Sequence, residues 1–267
     1  MDGALDPPVS KKSNRMGAKP SVDDPLSQPG TGPPNFWVLV LVVDPRLRNK
    51  TGEAGRVRAG LRDFQMGGNV TLFERFDNAD VKALIEGFPL AWVCGGDAAT
   101  LDASVLPLVG VYDADGQLVE LIGHLMRSNP LYAALKQDPR GTILFNGPGA
   151  YVSPEHAGKR DWAPTWNYAQ LKIRAEIRFD DALTEPSLQI LIDAMEAGRA
   201  EPWNVDELGA RYQSMLGHII GFRATVTGLS GKFKLGQDEK AETLHTIMDA
   251  LPDADTAAWM RRFNRGR

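Results

Sequence analysis

Asn167-Tyr-Ala-Gln-Leu-Lys-Ile-Arg-Ala-Glu-Ile-Arg-Phe179 is the stretch on which the reading of the fold turns. Leu171, Ile173, Ala175, Ile177 and Phe179 alternate with Lys172, Arg174, Glu176 and Arg178. A period of two puts one row of side chains on a core and the other in water or against a partner, so this segment is predicted to be a long strand. Before it, residues 90–94, 101–109, 117–123 and 142–146 are short apolar or alternating runs divided by Gly, Asp and Pro, as consecutive antiparallel strands are, with a hairpin turn at 113–116. After it, residues 187–197 and 206–216 carry helical spacing, and 219–227 and 232–235 return to strand character. A helix capped by Asp77 and bearing Val81, Leu84 and Ile85 precedes the strands. Another, entered through Asp238 and bearing Leu244, Ile247, Met248 and Leu251, follows them. Strand runs with helices inserted irregularly predict an antiparallel barrel, mainly β with peripheral helices, and argue against a doubly wound fold.

The rest of the chain bounds the function. Residues 1–35 are rich in Pro, Gly, Ser and Asp and hold too few apolar groups to offset the entropy of ordering. Regular patterning begins only after Met66. Residues 1–65 are therefore read as a disordered or dispensable extension, residues 66–251 as the folded domain and residues 252–267 as a C-terminal tail. The extension holds ten Lys/Arg and seven Asp/Glu, which leaves 20 basic against 27 acidic residues in 66–267, a net charge of −7. Binding to duplex DNA draws on Lys/Arg that displace counterions, so direct nucleic-acid contact is not expected of so acidic a domain. Cys94 is the only cysteine, which excludes an intrachain disulfide and fits a reducing, cytoplasmic setting. The longest apolar run, residues 36–43, is far short of the roughly 20 residues that span a bilayer, and no membrane role is expected. His124, His156, His218 and His245 are scattered, with no pair at zinc-motif spacing, and no metal site is expected. No phosphate-binding Walker loop, dinucleotide fingerprint or nucleophile elbow occurs.

Gly123-His-Leu-Met-Arg-Ser-Asn-Pro130 is the most informative segment for chemistry. Asn129 suits an N-cap and Pro130 the first helical position, and a helix N-terminus offers free N–H groups and partial positive charge. Arg127 beside it has a fork of donors matched to phosphate oxygens. The segment reads either as a phosphate site formed by Arg127, Ser128 and Asn129, or as a well-capped helix with a surface arginine. His124 is either part of that site or a buried structural histidine. Trp166 and Tyr168 share one strand face, where they either flank a planar ring or fill a core or subunit contact. Lys232 and Lys234 either meet an anion or a partner carboxylate, or lie on a solvated strand face.

Gly-His-x-x-Arg-x-Asn-Pro resembles a motif of the PaiB-like FMN-binding negative transcriptional regulators, with Ser128 where that family has Ala. Segments 103–108, 147–154, 163–168 and 228–237 resemble the same family in the same order. The resemblance implies an FMN-binding split β-barrel and a homodimer holding FMN in a groove between subunits. It also implies flavin contacts from His124, Arg127, Ser128, Asn129, Trp166, Tyr168, Lys232, Lys234 and Gln237. Val105 and Gly149 stand where the family has His, and Gly236 stands where it has Ser, which makes the pocket less polar. Two functions remain open: a flavin-binding regulator that acts without touching DNA, or an FMN-dependent oxidoreductase acting on a small molecule. Haem is the least favoured ligand, for want of an obvious axial histidine.

Overall fold

A computed structural model describes residues 71–96 and 101–267. The expected extension, residues 1–65, lies outside the described residues. The described residues belong to one compact unit. Its order is α1 (Asn78–Gly87), β1 (Leu90–Gly95), β2 (Asp102–Pro107), β3 (Val109–Tyr112), β4 (Leu118–Met126), α2 (Pro130–Gln137), β5 (Arg140–Val152) and β6 (Thr165–Asp180). Then come α3 (Thr184–Glu196), α4 (Arg211–Leu216), β7 (Ile219–Lys234), α5 (Ala241–Ala250) and α6 (Ala254–Phe263).

The seven strands form one antiparallel sheet in the order β2-β1-β5-β6-β7-β4-β3. The long alternating segment is β6, the central strand, with Leu171, Ile173, Ala175 and Ile177 buried and Lys172, Arg174 and Arg178 exposed. It pairs with β7 from Tyr168↔Lys234 to Asp180↔Gly221 and with β5 from Val152↔Thr165 to Arg140↔Glu176. Residues 219–227 and 232–235, expected as two strands, are one strand, because a bulge at Arg174/Ala175 keeps the alternation in step across the Gly228 region.

The expected mainly-β barrel is corrected by this topology. The fold is mixed α/β, and its sheet is open: β2 and β3 stand at opposite ends of the strand order and are not hydrogen-bonded to each other. The predicted single strand over 101–109 breaks at Pro107, which has no N–H to donate, while the Leu108 N–H is used by the Pro89 carbonyl at 3.0 Å. The link between the two edges therefore carries no ladder that would close the sheet.

Helices cover the two faces unequally. Leu84 of α1, Leu131 and Leu135 of α2 and Met260 of α6 pack on the face that carries Leu171 and Phe233. Residues 252–267 contribute α6, whose Trp259 and Phe263 stack on the fully buried Phe233, the latter with ring centroids 4.9 Å apart. Arg262 of α6 also pairs with Asp80 of α1 at 2.7 Å. On the opposite face α3 meets the sheet at Gly221, whose N–H donates to Thr184 Oγ1. A Cβ at Gly221 would lie 2.7 Å from the Leu183 carbonyl oxygen and 2.9 Å from Ser187 Oγ, so only glycine permits this approach. The rest of that face, over β2, β1, β5 and the first half of β6, is left with exposed Leu90, Trp92, Val105, Tyr151 and Trp166.

Gly221→Ala should cost about 1–3 kcal/mol in urea unfolding, because backbone of the α3 entry must shift to admit the methyl group. Gly87→Ala, where a Cβ meets nothing within 4 Å, is the control and should change stability by less than about 1 kcal/mol.

Candidate functional site

The residues singled out from sequence fall into two groups at opposite ends of β6. The first lies at its C-terminal end. β4 ends at Met126, and the chain turns through Arg127, Ser128 and Asn129 into α2. The Arg127 N–H donates to the His218 carbonyl at 2.9 Å, which fixes the backbone of the turn. Its guanidinium forms an ion pair with the Asp181 carboxylate, just beyond β6. Asn129 caps α2 by accepting the Leu131 N–H at 3.0 Å, and its amide donates to Ser104 Oγ at 2.9 Å. Ser128 is exposed. A cleft of about 490 Å³ opens beside this turn, lined among others by Arg127, Asp181, Thr184, Glu185 and Gln213.

His124 stands on β4 opposite Gly221, on the face that α3 covers. Its Nδ1 is buried with no hydrogen-bond partner, and burial holds its pKa below the ordinary 6.5. A desolvated imidazole without a carboxylate beside it favours the neutral form.

The second group lies at the N-terminal end of β6. The register places Tyr168 between Gly149 and Lys234, Gln170 between Asn146 and Lys232, and Trp166 beside Tyr151. Trp166 is 57% exposed and Tyr151 46%, with ring centroids 5.9 Å apart. Lys232 is exposed, while the Lys234 ammonium is held by the Trp166 carbonyl at 3.1 Å and by Thr165 Oγ1. Gln237 is engaged at both ends of its amide, accepting the Leu235 N–H at 2.7 Å and donating to the Phe233 carbonyl at 2.6 Å. Its side chain latches the turn after β7.

Twelve residues of β6 separate Tyr168 from Asp180, on the order of 40 Å of strand at about 3.3 Å per residue. Within one chain the Arg127 turn and the Lys232/Lys234 group thus stand towards opposite ends of the β6–β7 ladder. Between them runs a cross-strand row, Val105–Trp92–Leu144–Lys172–Ser230, read directly from the register.

Four contributors escaped the sequence reading. Trp92 and Tyr151 were legible as the outward positions of alternating runs. Ser104 and Asp181 were not, because their partners are 25 and 54 residues away. The three departures from the family pattern also have a structural setting. Gly149 faces Tyr168, whose Cβ would be 3.3 Å from an added Cβ. Gly236 has φ +84, and a Cβ there would press on Leu244 at 2.8 Å. Val105 points to the uncovered face beside Trp92.

An open antiparallel sheet with exposed aromatic and cationic rows has the chemistry of a site for a planar, anionic cofactor, and comparison with known proteins identifies the class. The family model described as "Putative FMN-binding domain" matches residues 71–228, and the chain belongs to that family of flavoproteins. The match ends before Lys232, Lys234 and Gln237. The chain is 26% identical over 138 residues to protease synthase and sporulation protein PAI 2 of Bacillus subtilis, covering 51% of this chain and 66% of that protein. It is 30% identical over 160 residues to an uncharacterized protein of Emericella nidulans, covering 47% and 64%. The chain thus spans just under two thirds of the length of these curated relatives. Among solved structures, the FAD and heme binding protein from Mycobacterium smegmatis is similar at 18% identity and a TM-score of 0.48, over 64% of this chain and 78% of that one. Among the described residues no helix is long and apolar enough to cross a membrane, and no group of three His, Cys, Asp or Glu side chains is arranged to hold a metal ion.

Two measurements check this geometry. Asn129→Ala removes the cap of α2 and the link to β2, and should cost about 0.5–2 kcal/mol in denaturant unfolding. His124 takes up its proton more readily unfolded than folded, so its contribution to stability is complete above about pH 6.5 and is lost as pH falls below that value. Replacing His124 with Gln should flatten the fall in stability below about pH 6.5 in parallel melts; an unchanged slope would assign the fall to other groups.

Proposed function

We propose that this chain binds FMN in a groove between the subunits of a homodimer, and that it regulates through this flavin state without direct contact with DNA. The observation that carries the reading is the separation of the two clusters by the length of the β6–β7 ladder, with an uncovered, aromatic-rich part of the sheet towards the Lys232 end. An isologous two-fold contact through that face, with its axis lying across the strand direction, would run the two copies of β6 in opposite directions. It brings the Arg127 end of one protomer towards the Lys232 end of the other, so that a single flavin meets both clusters only in the dimer. Trp92, Val105, Tyr151 and Trp166 would then lose their exposure to water, a gain of order 25 cal/mol per Å² of apolar area buried.

The side chains suit the cofactor. Arg127, beside the capped N-terminus of α2, offers paired donors for a terminal phosphate, with Ser128 exposed next to it. Lys232 adds a second cation, and Trp166 and Tyr168 offer faces for a planar ring. His124, half-buried on the face that α3 covers, and Gln237, engaged with its own backbone, would act by shaping the site. When bound, the flavin would supply hydride or electron chemistry, and the chain's own residues bind and orient it. Regulation without DNA contact is supported by the acidic balance of residues 66–267 and by the resemblance to PaiB-like regulators; the relative in Bacillus subtilis carries sporulation in its name.

The test is a titration of the purified protein with FMN, followed by flavin absorbance and fluorescence, with sedimentation in parallel. Wild type should bind FMN as a dimer, and Arg127→Ala should weaken binding about tenfold or more without changing the melting temperature. Unchanged affinity in that variant would remove Arg127 from the phosphate site, and a flavin-bound monomer would remove the groove. Anaerobic addition of NADH or NADPH then separates the regulatory reading from the oxidoreductase reading: rapid bleaching of the flavin favours the enzyme.

A further inference from the structure

Arg127, the residue best suited to a flavin phosphate, already has an anion. Its guanidinium is paired with the carboxylate of Asp181, whose backbone is anchored. Asp181 opens the short turn that joins β6 to α3, where its carbonyl accepts the Thr184 N–H and the neighbouring Asp180 carboxylate accepts the Ala182 N–H at 2.9 Å. Thr184 in turn is pinned to β7 through the Gly221 N–H at 3.2 Å. The arginine is equally constrained, since its own N–H is fixed to the His218 carbonyl. Both partners thus project from anchored backbone. Nevertheless the Asp181 side chain is 81% exposed and that of Arg127 36%, so the pair is open to exchange with an anion from solution. Glu185 lines the same cleft and adds a second negative charge on the Asp181 side.

We propose that Asp181 is an internal competitor for the phosphate at Arg127, a residue that keeps FMN exchangeable by occupying the guanidinium whenever the cofactor leaves. This rests on the reading that Arg127 holds the flavin phosphate. A phosphate monoester carries close to two negative charges at pH 7 and offers a bidentate face to arginine. To take that position it must displace one carboxylate and remain near it, and both requirements weaken binding. A solvent-exposed ion pair is weak enough to be displaced by such a ligand, yet the leftover like charge persists. Asp181 therefore lowers affinity through the phosphate end alone. Riboflavin, which has the ring and ribityl chain but no phosphate, does not meet the competition.

The experiment is a set of titrations of the full chain with FMN and with riboflavin, using wild type, Asp181→Asn, Arg127→Ala and the double variant. Asp181→Asn should tighten FMN about tenfold and leave riboflavin unchanged. In the Arg127→Ala background, the Asp181→Asn change should recover little of that gain. The melting temperature of Asp181→Asn should match wild type, because the replaced side chain is largely in water. If Arg127→Ala weakens FMN but Asp181→Asn does not tighten it, the competition is overturned while the phosphate reading stands. Equal tightening of FMN and riboflavin also overturns it, since the effect would then not act through the phosphate. If Arg127→Ala leaves FMN affinity unchanged, the phosphate reading fails and the competition fails with it.

Discussion

The β6–β7 ladder is the constraint on which the other elements depend. Thirteen residues of β6, from Tyr168 to Asp180, pair with β7, and β6 is the central strand of seven. Because its side chains alternate without interruption, the ladder settles which face is core and which is free. A one-residue slip would turn Leu171, Ile173, Ala175 and Ile177 to water and bury Lys172, Arg174 and Arg178, a cost no helix packing could offset. The bulge at Arg174/Ala175 accommodates the one mismatch in step between the strands. β5 and β4 then attach on either side, and the helices pack on the faces this pair has defined.

Functional consequences follow from the length of the same ladder. Its two ends hold the Arg127 turn and the Lys232/Lys234 group, and the ladder keeps them apart within one chain. The uncovered part of the sheet carries aromatic and aliphatic side chains, Leu90, Trp92, Val105, Tyr151 and Trp166, that stand open to water within one chain. At the Arg127 end, small contacts do the positioning: Ser104 on edge strand β2 binds the cap of α2, and Asp181 holds the guanidinium. Neither contact is strong alone. Together they fix where an incoming anion would find its donors.

The departures from the PaiB-like pattern become intelligible in this setting. Gly236 occupies a left-handed conformation pressed against Leu244, a place where a serine would be strained. Gly149 sits across from Tyr168, where a larger residue would crowd the tyrosine. Val105 adds to the apolar row beside Trp92. Val105 and Gly149 thus leave the sheet surface less polar than the family pattern implies, while Gly236 is buried beyond β7.

The sequence by itself determined where most strand segments fall, the first helix with its Asp77 cap, the Asn129–Pro130 start of α2 and the two rows of β6, because each is a local pattern written in neighbouring residues, but it did not show that residues 101–109 form two strands. It also revealed the flavin family through short motifs. Only the tertiary structure decided that the sheet stays open, that β7 is one strand, that α6 packs its aromatic side chains on Phe233, and that Arg127 faces Asp181. Local patterning is silent on these points. Sheet closure depends on whether two edges distant in the strand order present matching donors and acceptors, and Pro107 and Leu108 remove that match. Ser104–Asn129 and Arg127–Asp181 join residues 25 and 54 positions apart, so their contact exists only once the register of the sheet has brought the chain back upon itself.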